Sequence, residues 1–82
     1  MNIVEVKERV AGHDFLSAHI IHDINTTGWH IHLVDSSGNE FPITDDLNMA
    51  ITYGTLAEAQ SVVRKLDDMP VQVDRLYRQY AI

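Results

Sequence analysis

The sequence predicts a two-layer α+β domain. The expected architecture is an antiparallel β-meander of four to five strands, one main helix at about 55–68 packed on one face, and a short C-terminal strand or helix. Three observations lead there. Apolar and polar residues alternate in short runs between residues 3 and 53. Clusters of Gly, Asn, Asp and Ser separate those runs. Only one segment, 55–68, combines helical spacing with a helix-start signal.

In chain order, Ile3 to Val10 sets Val4, Val6 and Val10 on one side and reads as a half-buried strand. Ala11-Gly12-His13-Asp14 reads as a turn. Phe15 to Ile24 forms the next strand, with Leu16, Ala18, Ile20, His22 and Ile24 on one face and Ser17, His19, Ile21 and Asp23 on the other. Asn25-Thr26-Thr27-Gly28 is a turn by composition, with Gly28 available for positive φ. Trp29 to Val34 places Trp29, Ile31 and Leu33 together, and Asp35-Ser36-Ser37-Gly38-Asn39 is the strongest turn signal. Glu40 to Thr44 extends with Phe41 and Ile43 on one side, and Pro42 makes it an edge strand. A polar loop, 45–48, leads to a short strand, Met49 to Tyr53. Thr55-Leu56-Ala57-Glu58 is a capping box, and Leu56, Ala59, Val62, Val63 and Leu66 form the apolar stripe behind it. Pro70 ends that helix. Val71 to Asp74 reads as a strand, and the spacing of Val73, Leu76, Tyr77, Tyr80 and Ala81 reads as helix.

Eighty-two residues make a single domain, 1–82. A chain of this size buries roughly 60–65% of its unfolded surface, so dimerisation is a further source of stability open to it. It has no cysteine, which excludes disulfides and thiolate zinc sites. No apolar run approaches the roughly 20 residues of a membrane span, and Met1 to Glu5 has no signal-like character. A cytoplasmic protein with no cofactor is expected.

Charge is distributed unevenly. Between Val10 and Val63 there is no Lys or Arg, while that stretch holds Asp14, Asp23, Asp35, Glu40, Asp45, Asp46, Glu58 and all five histidines. The middle therefore carries formal charge −7 and the ends +1, for a net −6. Such a surface lacks the basic footprint that phosphate contacts demand. Its natural partner is a protein with a basic surface, and Asp35, Glu40, Asp45, Asp46 and Asp23 are the expected contact residues. No catalytic residue is expected: there is no thiol nucleophile, no serine elbow and no phosphate-cradling glycine loop.

Two other classes stay open. With a turn at 25–28, Asp23 faces His30 and Ile21 faces His32, so His19, His30, His32 and Asp23 share the face away from Trp29. Two histidines at i, i+2 with a carboxylate form the donor set of a metal- or proton-responsive module. Arg64, Lys65, Arg75 and Arg78 near the C-terminal end are the basis of a weak nucleic-acid-binding alternative.

Gly28-Trp29-His30-Ile31-His32 resembles the metal-binding opening of cupin barrels, but Ser36 and Ser37 stand where that family has a glutamate and the chain is too short for the barrel. The run Trp29…Asp35-Ser36-Ser37-Gly38…Ile51-Thr52-Tyr53-Gly54-Thr55-Leu56-Ala57-Glu58-Ala59 resembles the arm-type DNA-binding domains of phage tyrosine integrases over residues 29–66. That resemblance implies DNA binding through the exposed sheet face, without that family's basic residues. In size and charge the chain also looks like the small acidic anti-CRISPR and other anti-defence proteins of phages and mobile elements, some of which imitate nucleic acid. It is expected to be such an inhibitor and not an enzyme.

Overall fold

The computed structural model describes residues 1–23 and 28–75, the side chains of Asp23 and Arg75 excepted. The elements are α1 (Ile3–Ala11), β1 (Phe15–Asp23), β2 (Gly28–Asp35), β3 (Glu40–Pro42), α2 (Leu56–Leu66) and β4 (Val71–Arg75). Of the turn expected at 25–28, Gly28 is instead the first residue of β2, and 25–27 lie outside the described residues, as does the helical tail expected beyond 75.

The architecture is α+β in two layers. A four-stranded sheet in the order β3-β2-β1-β4 carries a helix layer on one face. Val6 and Val10 of α1 and Ala59 and Val63 of α2 meet Ala18, Ile20, Ile31, Leu33 and Ile43 in one buried core. No helix among the described residues is long and apolar enough to cross a membrane.

The first segment is a helix, where the alternation predicts a strand. Asn2 caps it: its Oδ1 accepts the Glu5 amide at 3.0 Å. Val6 and Val10, four residues apart, are buried on one side, while Val4 is exposed. Valines at 4, 6 and 10 all suit a strand, but only Val6 and Val10 share a helix face, and the Asn2 cap accompanies the helix. The Arg9 guanidinium lies over both Phe15 and Phe41, 4.8 and 4.7 Å from the ring centroids, and its Nε donates to Asp14 at 3.1 Å. Those contacts pin the end of α1 to the sheet.

The sheet is mixed, where a meander predicts antiparallel pairing throughout. β1–β2 and β2–β3 are antiparallel, but β4 runs parallel to β1. The cause is the connection. β3 leads through α2 to β4, and a strand–helix–strand crossover returns the chain in its starting direction. The expected strand 49–53 makes only isolated bridges, Thr44 to Ala50 and Trp29 to Tyr53. β3 is an edge strand, in keeping with Pro42.

A β-bulge changes the start of β1. Phe15 faces Asp35, yet Ser17 faces Val34, so Leu16 is the extra residue. Phe15 is therefore buried and Leu16 is exposed, the reverse of strict alternation. From Ala18 onward the expected faces hold. The β1–β2 register is displaced by two residues from the expected one: His19 faces His32, Ile21 faces His30 and His22 faces Trp29. A two-residue slip keeps every side chain on its face.

Helix α2 begins as its capping signal predicts, with Thr55 Oγ1 accepting the Glu58 amide at 3.1 Å. It ends at Leu66, two residues before the expected end, because Asp67 is already extended. Replacing Thr55 by Ala should cost about 1 kcal/mol. Chemical denaturation measures this, and an unchanged midpoint would show that the cap carries no stability.

Candidate functional site

Two five-residue turns flank β3, and they are built alike. In the first, Asp35 Oδ1 accepts the amides of Ser37 and Asn39, both at 2.9 Å. Gly38 N–H donates to Asp35 O at 3.1 Å, and Asp35 N–H to Asn39 O at 3.1 Å. In the second, Asp45 Oδ1 accepts the amides of Leu47 at 2.9 Å and Met49 at 3.0 Å. Asn48 N–H donates to Asp45 O at 3.0 Å, and Asp45 N–H to Met49 O at 2.9 Å. The fourth residue of each turn is left-handed: Gly38 at φ +85° and Asn48 at φ +63°. An aspartate at the first position and a residue tolerant of positive φ at the fourth are what these bonds require.

The middle positions make none of those bonds with their side chains, and here the turns differ. The first carries Ser36 and Ser37, the second Asp46 and Leu47. Leu47 is 83% exposed and Met49 64% exposed. The turn is held by Asp45 and Asn48, so nothing in its geometry calls for a leucine in water.

The acids of the expected docking surface divide between the two ends of the β2–β3 hairpin. Asp35 and Glu40 lie at one end. Asp45 and Asp46 lie at the other, roughly 16 Å away along β2 at about 3.3 Å per residue. Asp23 pairs through its backbone with Gly28, at that second end. Asp35 is held below its ordinary carboxyl range: slight desolvation opposes this, but hydrogen bonds from Asn39 and Ser37 and the nearby Arg9 outweigh it.

On the open face of the sheet, opposite the helices, His19 links three strands. Its Nδ1–H donates to Glu40 Oε1 of β3 at 2.8 Å, and its Nε2–H donates to Asp74 Oδ2 of β4. His32, directly opposite on β2, holds Nδ1 3.6 Å from the same Glu40 oxygen. His30 lies two residues along β2, with Nδ1 3.2 Å from the Ile51 carbonyl oxygen. A cavity of about 230 Å³ beside them is lined by Ser17, His19, Val34, Gly38, Glu40 and Gln72.

This arrangement suits a proton better than a metal. Only the imidazolium has a donor on both ring nitrogens. Burial tends to lower the His19 pKa, but the hydrogen bonds and charges of Glu40 and Asp74 prevail and raise it. Burial lowers the pKa of His32, Glu40 opposes that, and His19 and His30 add to it. Of the two facing histidines, His19 is therefore the one more readily protonated. The carboxylates bind opposite edges of its ring, so their lone pairs do not converge. Among the described residues no three His, Cys, Asp or Glu side chains are arranged to hold a metal ion.

The raised His19 pKa gives stability that is fully present below about pH 6.5 and is lost as pH rises through the native value. The lowered His32 pKa gives the opposite: stability present above about pH 6.5 and lost as pH falls. His19→Gln removes the first effect and, by deleting the His19 charge, also lessens the lowering at His32, which offsets part of that loss; both changes act only where His19 is charged in the parent. The variant's melting temperature should fall furthest below that of the parent near pH 6 and converge with it by about pH 9. A gap that does not change with pH would refute the protonated bridge.

Sequence reasoning finds His19, His32 and Glu40 but misses Asp74. The alternation of Val71 and Val73 with Gln72 and Asp74 is the signal that puts Asp74 on the open face. It becomes useful only once β4 is known to return beside β1. Of the basic residues in the nucleic-acid alternative, Arg64 and Lys65 are exposed at the C-terminal end of α2, and Arg78 lies outside the described residues.

No known protein family matches the chain, and no curated protein or solved structure shows significant similarity to it.

Proposed function

We propose that the chain is a non-enzymatic binding protein that docks on a basic surface of a protein partner. The observation that carries this reading is the 45–49 turn. Its backbone is fastened by Asp45 and Asn48, and it holds Leu47 and Met49 in solvent beside the exposed carboxylate of Asp46. An apolar side chain already held in place loses little conformational freedom on binding, so this turn is preorganised to serve as an anchor. The turn itself carries the carboxylates of Asp45 and Asp46, and no Lys or Arg occurs between Val10 and Val63, so a cationic surface is its complement. Nucleic-acid-binding proteins are the main class with such surfaces. An acidic protein seated there blocks the nucleic acid, as an anti-CRISPR or other anti-defence inhibitor of a phage or mobile element does. Such a role needs no cofactor, and a cytoplasmic setting agrees with a cysteine-free chain.

Asp35 and Asp45 cap turns, so reversing them to Lys would disturb the backbone as well as the charge. Asparagine keeps the Oδ1 acceptor and removes the charge. The variant Asp35→Asn, Asp45→Asn, Asp46→Lys, Leu47→Ser should therefore fold as the parent does. Its affinity for a purified nucleic-acid-binding protein that the parent binds should drop at least about tenfold, with a shallower salt dependence. Unchanged affinity would overturn the reading. So would a band shift of an oligonucleotide by the pure chain at physiological ionic strength, which would favour direct nucleic-acid binding through Arg64 and Lys65.

A further inference from the structure

The two edges of the sheet are finished differently. β3 is three residues long and contains Pro42, and the N-terminal segment lies along it. The Met1 ammonium donates to Pro42 O at 3.1 Å, Thr44 N–H donates to Met1 O at 2.7 Å, and Asn2 bridges Thr44. Short length, proline and a covering segment are standard protections against edge-to-edge pairing. β4 has none of them among the described residues. It is five residues long, its proline precedes it, and β1 is its only partner strand there.

The ladder shows which β4 amides turn outward. Ala18 N–H donates to Pro70 O at 2.9 Å. In a parallel pair the bonding residues alternate, so the backbones of Gln72 and Asp74 turn toward β1 and those of Val71, Val73 and Arg75 turn away. The side chains alternate as well. Val71 and Val73 align with Ala18 and Ile20 on the helix face, yet remain 38% and 36% exposed at its rim.

We propose that β4 pairs antiparallel with β4 of a second copy of this chain, about a two-fold axis at Val73. In that register Val73 faces Val73 and Val71 faces Arg75. All are residues whose amides turn outward, so about six main-chain hydrogen bonds form between the copies. Gln72 faces Asp74 of the other copy, twice, on the open face. An amide that can donate thus meets a carboxylate, and like charges do not oppose one another. Moving the axis one residue onward would set Asp74 against Asp74. The axis is perpendicular to the sheet, so both helix layers lie on one side and the exposed valines of the two copies form one apolar strip between the cores. The interface is isologous, as closed dimers require.

Charge opposes a second copy least at this end of the chain. The chain is −6 overall, but residues 64–82 carry Arg64, Lys65, Arg75 and Arg78 against Asp67, Asp68 and Asp74, a net +1. The copies approach through their least acidic ends and leave the Asp45–Met49 turn free for a different partner. Five residues of edge bury less than a standard interface, so the dimer is weak and appears at high micromolar concentration.

Sedimentation equilibrium of the full chain from about 10 μM to 1 mM tests this, together with amide hydrogen exchange. The expected result is a monomer–dimer equilibrium in which the Val71, Val73 and Arg75 amides gain protection with concentration, while those of Gln72 and Asp74 are protected throughout. Val73→Lys puts like charges on the axis at an exposed site and should weaken the dimer at least tenfold. Gln72→Lys meets Asp74 of the other copy and should tighten it. A chain that stays monomeric to 1 mM overturns the proposal. A dimer indifferent to both substitutions does so too, because its interface lies elsewhere.

Discussion

Leu33→Ala should destabilise the domain by about 2–5 kcal/mol, while Leu47→Ala should change its stability by no more than about 0.5 kcal/mol. The chemistry removed is the same. Leu33 is fully buried on β2, opposite Ala18 of β1 and Phe41 of β3, in the layer where both helices meet the sheet. Truncation there forfeits the transfer free energy of the lost methyls and leaves a cavity. Rigid strands on either side keep that cavity from closing. Leu47 is 83% exposed and makes no part of the core. A domain of this size has a total stability of about 4–12 kcal/mol, so the first substitution removes a large fraction of it or unfolds the chain. Urea denaturation with a constant slope reads both effects. Should Leu33→Ala unfold the chain outright, Leu33→Val gives a smaller, measurable loss. Equal effects from Leu33→Ala and Leu47→Ala would mean that the core is misplaced or that the 45–49 turn is packed.

Ile31 and Leu33 on one face, Phe41 and Ile43 beside them, and Thr55 at the start of α2 are all legible in the sequence, because local periodicity and capping chemistry determine them. The first helix is missed although its signal is present. Asn2 stands three residues before Glu5 as Thr55 stands three before Glu58, and both caps accept the amide of that glutamate. Three valines at positions 4, 6 and 10 outweigh that signal in a reading by alternation. Leu16 is misplaced because a bulge has no mark in composition. The parallel return of β4 is a property of the connection, not of any residue in the strand, and so Asp74 does not join His19 until the topology is known. The histidine faces are correct in spite of a wrong register because the error is an even number of residues. For the proposed docking surface the sequence points to the acids but not to Leu47, since an apolar residue inside a polar loop reads as neutral until its exposure and the self-sufficiency of the turn are seen.

Gly28→Ala is the second substitution with a large expected cost, about 1–3 kcal/mol, and its mechanism can be separated from the one suggested by sequence. Between Thr27 and Trp29 a glycine suggests a turn that needs positive φ. The structure instead makes Gly28 the first residue of β2, paired with Asp23. Its special property is space. A methyl group there would lie 2.1 Å from Thr52 Cγ2 and 3.0 Å from the Tyr53 carbonyl oxygen, because the 51–53 segment crosses close to β2 where Trp29 and Tyr53 exchange backbone hydrogen bonds at 2.8 Å. The Thr52 side chain is exposed, so Thr52→Ala alone should be nearly neutral. It removes the closest clashing atom, however, and should restore most of the loss in the Gly28→Ala, Thr52→Ala double variant. The coupling should be about 0.5–3 kcal/mol. A residual cost remains from the carbonyl, which cannot be deleted. A strained left-handed backbone would behave otherwise, because no change at Thr52 relieves a disfavoured φ. Additive losses in the double variant would therefore rule out the steric account. Rescue would establish that β2 begins with glycine so that another strand-like segment can pass within contact distance, the approach that holds Trp29 over the edge of the core.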